Sequence, residues 1–346
     1  MSTRRAAAID GAGKISVIEE AMPEPKPGQV LIEVTASMVS PGTELGGVKR
    51  RRESPTDAGP RPFGYSNAGV VIAQGEGCED VVIGTRVACM GGGYAQHASH
   101  VCVPRNMAVP IPDGVKDEHA ASIHLVATGL NAFRRGDFKF GEFMGVVGLG
   151  LVGQFTCQLG RLAGCHVIGL DTLPMRLDMA QTCGLERGVN VKEEDPIAIA
   201  PLFSRGYGLD GAVIAFGGDG TQAFVTLTKM IKKTPDTHLM GRIVIVGGAR
   251  IEHNFAAALG NLDVRSAART GPGYHDEAWE HGADYPGVFV QWTTRRNMEE
   301  CLVFMASGGL LVEPLITHRV ALNDAPDACE ELIQHPDRAL GVVFLP

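Results

Sequence analysis

Hydrophobic and polar positions alternate in two different ways along the 346 residues of this chain. Up to about residue 125, short apolar runs alternate with polar residues and are interrupted by proline and glycine. This pattern predicts a small, irregular all-β barrel. The segments with strand character are 16–19, 30–35, 69–73, 86–89 and 100–103, and helical spacing begins near residue 118.

After residue 125, predicted strands and helices follow each other in turn. An apolar strand at 143–147 leads into a glycine turn, a helix that ends at Gly164, and a second strand that ends on Asp171. Strands and helices in this succession predict a doubly wound parallel sheet, which binds its ligand at the C-terminal ends of the strands. The sequence continues with a helix at 176–183, a strand at 210–216, a helix at 223–231 and a strand at 243–246.

The glycine turn reads GLGLVG and fits the dinucleotide fingerprint G-x-G-x-x-G. Gly148 makes the tight turn, Gly150 lets the backbone approach a pyrophosphate, and Gly153 lets the helix pack closely on the strand. Asp171 lies about 20 residues further on, where a carboxylate hydrogen-bonds the adenosine ribose and repels a 2′-phosphate. We therefore predict a dinucleotide site that favours NAD(H) over NADP(H); the alternative is a glycine-rich turn of another α/β fold. The candidate cofactor-binding residues are Gly148, Leu149, Gly150, Leu151, Val152, Gly153, Asp171, Arg176, Thr128, Phe216, Gly217, Val246 and Gly247.

Residues 270–293 interrupt this alternation and contain both tryptophans of the chain. A long aromatic excursion of this kind is usually functional or part of an interface. Its candidate lid residues, which could contact a substrate, are His275, Asp276, Glu277 and Tyr285. The rest of the chain predicts a helix at 296–308, an extended segment at 314–320, a helix at 326–333 and a strand at 338–345.

Composition narrows the possible partners. The net charge of −8 argues against nucleic acid as a main partner, and we read the basic run at 49–52 as a solvated loop. No apolar stretch reaches about 18 residues, so we expect no membrane span, and we find no signal peptide. The eight cysteines are scattered without a C-x-x-C pair, which suggests neither a disulfide framework nor a cysteine-rich zinc lobe. These features predict a cytoplasmic protein.

Several segments together resemble the medium-chain dehydrogenase/reductase family over nearly the whole chain. The resemblance implies a GroES-like catalytic domain over 1–125, completed by 295–346, and a Rossmann domain over 126–294 with NAD(P) in the cleft between them. It also implies a homodimer in which the last strand of the Rossmann sheet, near 262–268, pairs edge to edge. The segments that carry it are PKPGQVLI at 25–32, AGVV at 68–71, IGTRV at 83–87, GGYA at 92–95, VP at 103–104, ATG at 127–129, the GLGLVG turn and PLITH at 314–318.

The chain departs from the zinc-dependent branch of that family at the metal ligands. The Cys-Gly-Thr-Asp turn of the branch is matched here by VSPGTE at 39–44, which has no thiolate, and its Gly-His-Glu turn reads Gly64-Tyr65-Ser66. Only His124, at the third ligand position, could still bind a metal, and zinc needs three protein ligands. We predict a zinc-free member. The Ser-Pro-Gly-Thr-Glu turn resembles a side branch that includes bacteriochlorophyllide-type alcohol dehydrogenases.

Four residues are candidates for catalysis because the resemblance places them around the former metal position. Thr43 matches the hydroxyl relay of the family, Glu44 follows it, and Tyr65 and His124 replace ligands. Such a cluster could bind and deprotonate an alcohol. The alternative is a hydrogen-bonded polar patch that fills the space that zinc left. Two further histidines, His97 and His100, would lie on opposite faces of a strand, and His318 belongs to a turn that packs structurally.

Three functions are compatible with these residues. We favour an NAD(H)-dependent, zinc-independent oxidoreductase that interconverts an alcohol and its carbonyl by hydride transfer. The substrate would be a polyol, a sugar or a ring-bearing secondary alcohol. The second function is reduction of an activated double bond in a quinone or enone, against which the polar set of candidate residues argues. The third is a cofactor-binding sensor without catalysis.

Overall fold

The computed structural model describes residues 2–346, which form two compact units. The first unit comprises Met1–Ala127 and Thr270–Pro346, and the second Thr128–Arg269. The division near residue 127 lies close to the predicted domain boundary at 125. The second boundary differs from the prediction, because residues 270–294 belong to the first unit rather than to the Rossmann domain.

Short strands dominate the N-terminal part of the first unit, as the alternating pattern predicts. Its helices are α1 (Gly46–Glu53), α2 (Asp117–Ala120) and α3 (Ile123–Gly136), which continues into the second unit. The basic run at 49–52 therefore lies in α1 and not in a loop, because Val48 is buried and anchors this helix. The strands are β1 (Thr3–Ile9), β2 (Ile15–Ala21), β3 (Gln29–Met38), β4 (Arg61–Pro62), β5 (Ser66–Gln74), β6 (Arg86–Met90), β7 (His100–Pro104) and β8 (Ala108–Pro110).

The second unit contains a six-stranded, fully parallel sheet. Its strand order is β11-β10-β9-β12-β14-β16, and the central strands are apolar and buried. This is the doubly wound sheet that the sequence predicts. The strands are β9 (Phe143–Val147), β10 (His166–Asp171), β11 (Arg187–Asn190), β12 (Gly211–Ile214), β13 (Gly218–Asp219), β14 (Met240–Val246), β15 (Ala249–Arg250) and β16 (Asn261–Ala267). The helices are α4 (Leu151–Leu162), α5 (Pro174–Thr182), α6 (Pro196–Phe203) and α7 (Thr221–Met230).

The C-terminal segment returns to the first unit and completes its larger sheet. It contains α8 (Glu277–Glu280), α9 (Thr294–Ala306), β17 (Ile316–Ala321), α10 (Ala325–Gln334) and β18 (Gly341–Leu345). Strand β18 pairs antiparallel with β3, and the seven-stranded sheet runs β17-β18-β3-β5-β6-β8 with β7 also on β3. The predicted fold class, an irregular β domain with a doubly wound parallel sheet, is confirmed. Among residues 2–346, no helix has the length and apolar character needed to cross a lipid bilayer.

Candidate active site

The glycine turn of the second unit leaves no room for side chains at two of its positions. Gly148 has a φ of +89°, a left-handed conformation that favours glycine. A Cβ at Gly153 would lie 1.9 Å from the carbonyl oxygen of Gly148, so α4 packs this closely only with glycine here. A Cβ at Gly150, by contrast, would meet no atom within 4 Å. The turn therefore presents open backbone at the N-terminal end of α4, which suits a phosphate.

The remaining cofactor candidates divide into exposed and supporting residues. Gly217, after β12, and Gly247, after β14, are exposed at the C-terminal edge of the sheet, whereas Val246 is buried beneath that edge. The Phe216 ring lies 3.0 Å from where a Cβ on Gly148 would stand, which brings the β12 end and the glycine turn together. Leu149 and Leu151 are buried, Val152 is partly exposed, and Thr128 lies on α3 rather than at the end of a strand.

Asp171 ends β10 with its carboxylate largely buried. Its Oδ2 accepts the backbone N–H of Leu149 at 2.6 Å, and Oδ1 accepts those of Thr172 and Leu173 at 2.7 and 3.0 Å. Nη1 of Arg176 lies 3.8 Å from Oδ2, and Nε of Arg176 is buried without a hydrogen-bond partner within the described chain. A buried donor without an acceptor calls for a partner that the protein does not supply. A ribose hydroxyl would supply it, so these residues fit the adenosine end of a dinucleotide.

A polar pocket in the first unit brings together three of the four predicted catalytic residues. Tyr65 stands in the bend before β5, beside the hydroxyl groups of Ser40 and Thr43. Burial and the nearby carboxylate of Glu44 raise the pKa of Tyr65 well above its usual value, although the two hydroxyls lower it as hydrogen-bonding neighbours. The phenol is therefore protonated at neutral pH and acts as a hydrogen-bond donor.

His124 lies against Tyr65, with a ring-centroid distance of 4.2 Å. Its Nδ1 is 3.3 Å from the backbone carbonyl oxygen of Tyr65, which can only accept, so Nδ1 carries the hydrogen. Burial lowers the pKa of His124 to about 4, against the opposing effect of this hydrogen bond. The ring is therefore neutral at pH 7, with its lone pair on Nε2.

Glu44 is buried and turned away from solvent. Its Oε2 accepts the backbone N–H of Ser40 at 2.7 Å, and Nε2 of His97 lies 3.3 Å from the same oxygen. Glu44 therefore closes the turn that carries Thr43. His97, which the sequence placed on a strand face, lies in an irregular segment and is fully buried.

Two residues that complete the pocket, Tyr274 and Glu280, have no recognisable motif in the sequence. The Tyr274 hydroxyl accepts the backbone N–H of Gly92 at 2.7 Å, and the Tyr274 ring packs edge-on against His124 at 5.7 Å. Buried Glu280 accepts the hydroxyl of Tyr94 at 3.2 Å and the backbone N–H of His275 at 2.8 Å. Residues 270–293 are thereby tied to the first unit. The signal available in the sequence was the concentration of aromatic residues, but not their individual contacts.

The candidate lid residues have mostly local partners. His275 stacks on Tyr274 at 4.0 Å, while Tyr285 donates to Asp276 at 2.6 Å. That bond raises the pKa of Tyr285 to about 12. Glu277 is the first residue of α8.

The two other histidines considered in the sequence also have local partners. His100 contacts the hydroxyl of Ser99, and His318 contacts the hydroxyl of Thr317 on β17.

The described residues do not fit a zinc ion. Residues 2–346 contain no group of three or more His, Cys, Asp and Glu side chains that could hold a metal. The aromatic rings packed on His124 are the phenols of Tyr65 and Tyr274, whereas zinc prefers thiolate, imidazole and carboxylate ligands.

The depressed pKa of His124 predicts an acid-dependent loss of stability. The folded state binds a proton at His124 less readily than the unfolded state does. The free energy of unfolding is therefore highest above pH 6.5 and decreases as the pH falls towards 4. The expected loss in the free energy of unfolding is about 3 kcal/mol. Urea denaturation at pH 7 and pH 4.5 should show a smaller difference in His124→Asn than in wild type, with His100→Asn as control. An equal difference in all three proteins would contradict the prediction.

Comparisons with known proteins agree with this architecture, although no family model matches the chain. An uncharacterized zinc-type alcohol dehydrogenase-like protein of Escherichia coli is 26% identical over 95% of both chains. D-guloside 3-dehydrogenase of E. coli is 24% identical over 82% of this chain and 77% of its own length. D-xylulose reductase of Saccharomyces cerevisiae is 21% identical over 97% and 96%.

Solved structures have the same fold over their full length. An E. coli oxidoreductase of unknown specificity superposes with a TM-score of 0.81, at 19% identity and 99% coverage of both chains. A dehydrogenase from Sinorhizobium meliloti, solved with NADP, gives 0.77 at 22% identity and 100% coverage of both.

These relatives are named dehydrogenases and reductases, and together with the fold they identify an oxidoreductase that uses a nicotinamide dinucleotide. Over nearly its whole length the chain is similar to zinc-type alcohol dehydrogenase-like proteins of the medium-chain dehydrogenase/reductase family.

Proposed function

We propose that this protein is a zinc-independent, NAD(H)-dependent oxidoreductase that interconverts a secondary alcohol and its carbonyl. The observation that carries the proposal is the pairing of the Tyr65 phenol with the neutral His124 imidazole at the positions where the family places metal ligands. These groups hold and accept protons without a metal. A polyol or sugar is the proposed substrate class, since hydroxyl, phenol and imidazole groups surround the pocket and two relatives are named for sugar or polyol reactions.

The chemistry needs a proton to leave the hydroxyl while hydride leaves the carbon. Tyr65 is placed to donate a hydrogen bond to the substrate oxygen, which stabilises the negative charge that develops there. His124 presents Nε2 as the acceptor, because Nδ1 is committed to the Tyr65 carbonyl. The Thr43 hydroxyl, exposed beside Tyr65, can pass a proton towards solvent. NAD⁺, when bound, supplies the hydride acceptor.

A substrate panel tests the reaction type. Xylitol, D-sorbitol and methyl D-glucopyranoside would be incubated with NAD⁺, and cyclohex-2-enone with NADH, while absorbance at 340 nm is followed. We expect turnover of at least one of the alcohols and none of the enone. Turnover of the enone alone would indicate a double-bond reductase, and NADH binding without any turnover would indicate a sensor.

The purified protein should contain no stoichiometric zinc, since Tyr65 and the turn at 39–44 offer neither thiolate nor imidazole. Elemental analysis after purification without added metal measures this directly. Activity should also survive dialysis against a chelator. One tightly bound zinc per chain, with activity lost on chelation, would overturn the proposal.

A homodimer through the edge of the second unit's sheet is also proposed. Strand β16 is the last strand of that sheet and its residues are largely exposed, including Val264. An exposed edge strand is a template for pairing with a second copy. Light scattering at micromolar concentration should give twice the chain mass of 36.6 kDa, and Val264→Lys should shift it towards monomer. A wild-type monomer would contradict this. The eight cysteines form no disulfide within residues 2–346, which supports a cytoplasmic location, where conditions are reducing.

A further inference from the structure

Three buried side chains form a continuous chain behind the polar pocket. Nδ1 of His97 lies 2.9 Å from the hydroxyl oxygen of Ser37, and Nε2 lies 3.3 Å from both carboxylate oxygens of Glu44. Ser37 and His97 are inaccessible to solvent and Glu44 nearly so. The three come from β3, the segment before β7, and the turn at 41–45, so the fold and not the local sequence brings them together.

The position of His97 is fixed by its backbone and by its ring. Its N–H donates to the carbonyl of Phe63 at 2.9 Å, and its carbonyl accepts the N–H of Ala7 at 2.8 Å. The rings of Phe63 and Phe344 pack edge-on against the imidazole at 5.0 and 5.1 Å. A ring held on both sides in this way keeps its nitrogens directed at Ser37 and Glu44.

The proton positions follow from the chemistry of the partners. A carboxylate only accepts, so His97 directs an N–H from Nε2 to Glu44. Oε2 of Glu44 receives that bond and the Ser40 N–H, whereas Oε1 is buried without a hydrogen-bond partner within residues 2–346. Without His97, the carboxylate would keep the Ser40 N–H as its one donor. Removing one partner of a buried pair is strongly unfavourable for the other.

Glu44 connects this chain to the pocket. By accepting the Ser40 N–H it closes the turn at 40–45, and this turn carries the hydroxyls of Ser40 and Thr43 beside the Tyr65 phenol. A shift of the carboxylate would therefore move the groups that surround the phenol.

We propose that His97 is a positioning residue of the active site, which acts through Glu44 to hold the turn bearing Thr43 against Tyr65. The proposal rests on the proposed function, because it assigns His97 to the same pocket. The ring nitrogens of His97 face Ser37 and Glu44, so His97 acts through another residue and is not a catalytic residue.

Steady-state kinetics on the most active alcohol of the panel, with NAD⁺, provides the test. His97→Leu should lower kcat by about 10- to 100-fold, the scale expected when a reacting group is displaced by about 1 Å. The NADH dissociation constant should not change. His97→Gln, whose amide can still donate to Glu44, should recover most of the lost kcat, and Ser37→Ala should lose about threefold. His100→Gln, outside the chain of contacts, is the matched control.

A double-mutant cycle separates action through Glu44 from a general structural effect. In a Glu44→Gln background, His97→Leu should lower kcat by less than about threefold. Imidazole ¹⁵N NMR should show His97 in the Nε2–H tautomer, and its signals should shift in Glu44→Gln. If His97→Leu fails to fold, Ser37→Ala replaces it in the cycle, and its threefold loss should disappear in the Glu44→Gln background.

Tyr65→Phe in the same assay distinguishes the two hypotheses. Wild-type kcat in folded His97→Leu, together with a large loss in Tyr65→Phe, overturns the role of His97 and leaves the proposed function standing. Equal losses for His97→Leu in both backgrounds also overturn it. Full turnover in Tyr65→Phe removes the phenol from the proposed mechanism. Absence of turnover of every panel alcohol by the wild type refutes the proposed function, whatever the His97 variants show.

Discussion

Replacement of Tyr65 by Phe should lower kcat by about 10²- to 10⁴-fold, the range typical of general acid–base catalysis. The substitution removes one hydroxyl and keeps the ring that packs on His124 at 4.2 Å. In the free enzyme, burial and Glu44 hold the phenol protonated, and the role we propose for it is to donate a hydrogen bond to the substrate oxygen. The affinity for NADH should stay unchanged, because the glycine turn and Asp171 belong to the second unit.

Steady-state kinetics with the panel alcohols and a fluorescence titration with NADH measure the two quantities separately. Tyr207→Phe is the matched control, since Tyr207 is exposed in the second unit. His124→Gln should show a loss of similar size because it removes the proposed proton acceptor. Near-wild-type turnover in both Tyr65→Phe and His124→Gln would transfer the proton route to Thr43 with water, or to residues 270–293.

Replacement of Asp171 by Ser should narrow the preference for NADH over NADPH by about 100-fold. A carboxylate and a 2′-phosphate in contact repel each other by several kcal/mol, and about 2.7 kcal/mol corresponds to a 100-fold change. Arg176, whose Nη1 lies 3.8 Å from Asp171, would then be available to pair with the phosphate. Part of the change will come from weaker NADH binding, because Asp171 also accepts three backbone N–H bonds.

The measurement is a pair of dissociation constants, for NADH and for NADPH, in each variant. Asp171→Ser combined with Arg176→Ala should lose the gain in NADPH affinity, which assigns that gain to the guanidinium. Thermal unfolding controls for damage to the loop after β10. If the wild type bound NADPH more tightly than NADH, the interpretation of Asp171 would be wrong.

The second unit was largely predictable because its determinants are local. The buried strand at 143–147 is a continuous apolar run, and the turn after it needs glycine for reasons visible within six residues. The predicted bounds of the helices differ from the observed ones by a few residues. The predicted helix at 176–183 begins at Pro174, because proline at the first helical position is compatible with the missing N–H.

The resemblance groups the four catalytic candidates around one position, but it does not predict which of them form hydrogen bonds. Tyr65 and His124 lie together because the hydroxyl of Ser66, the residue after Tyr65, accepts the backbone N–H of His124 at 3.2 Å. The pairing of Glu44 with His97 joins residues 53 positions apart, and Tyr274 meets Gly92 across 182 positions. Hydrophobic periodicity reports only which face of an element is buried. It contains no information on which polar groups meet beneath it.

The first unit is built from two separate stretches of the chain, and this affects the order in which the protein folds during synthesis. Residues 128–269 form a contiguous unit, whereas β3 must wait for β18, some 300 residues later, to pair with its C-terminal end. The second unit can therefore fold on the ribosome first, as domains generally do in order of emergence. Phe344 belongs to β18 and covers one side of His97. Water consequently reaches the Glu44–His97 pair until the final strand docks, and the interior of the pocket becomes dry only at the last step of assembly.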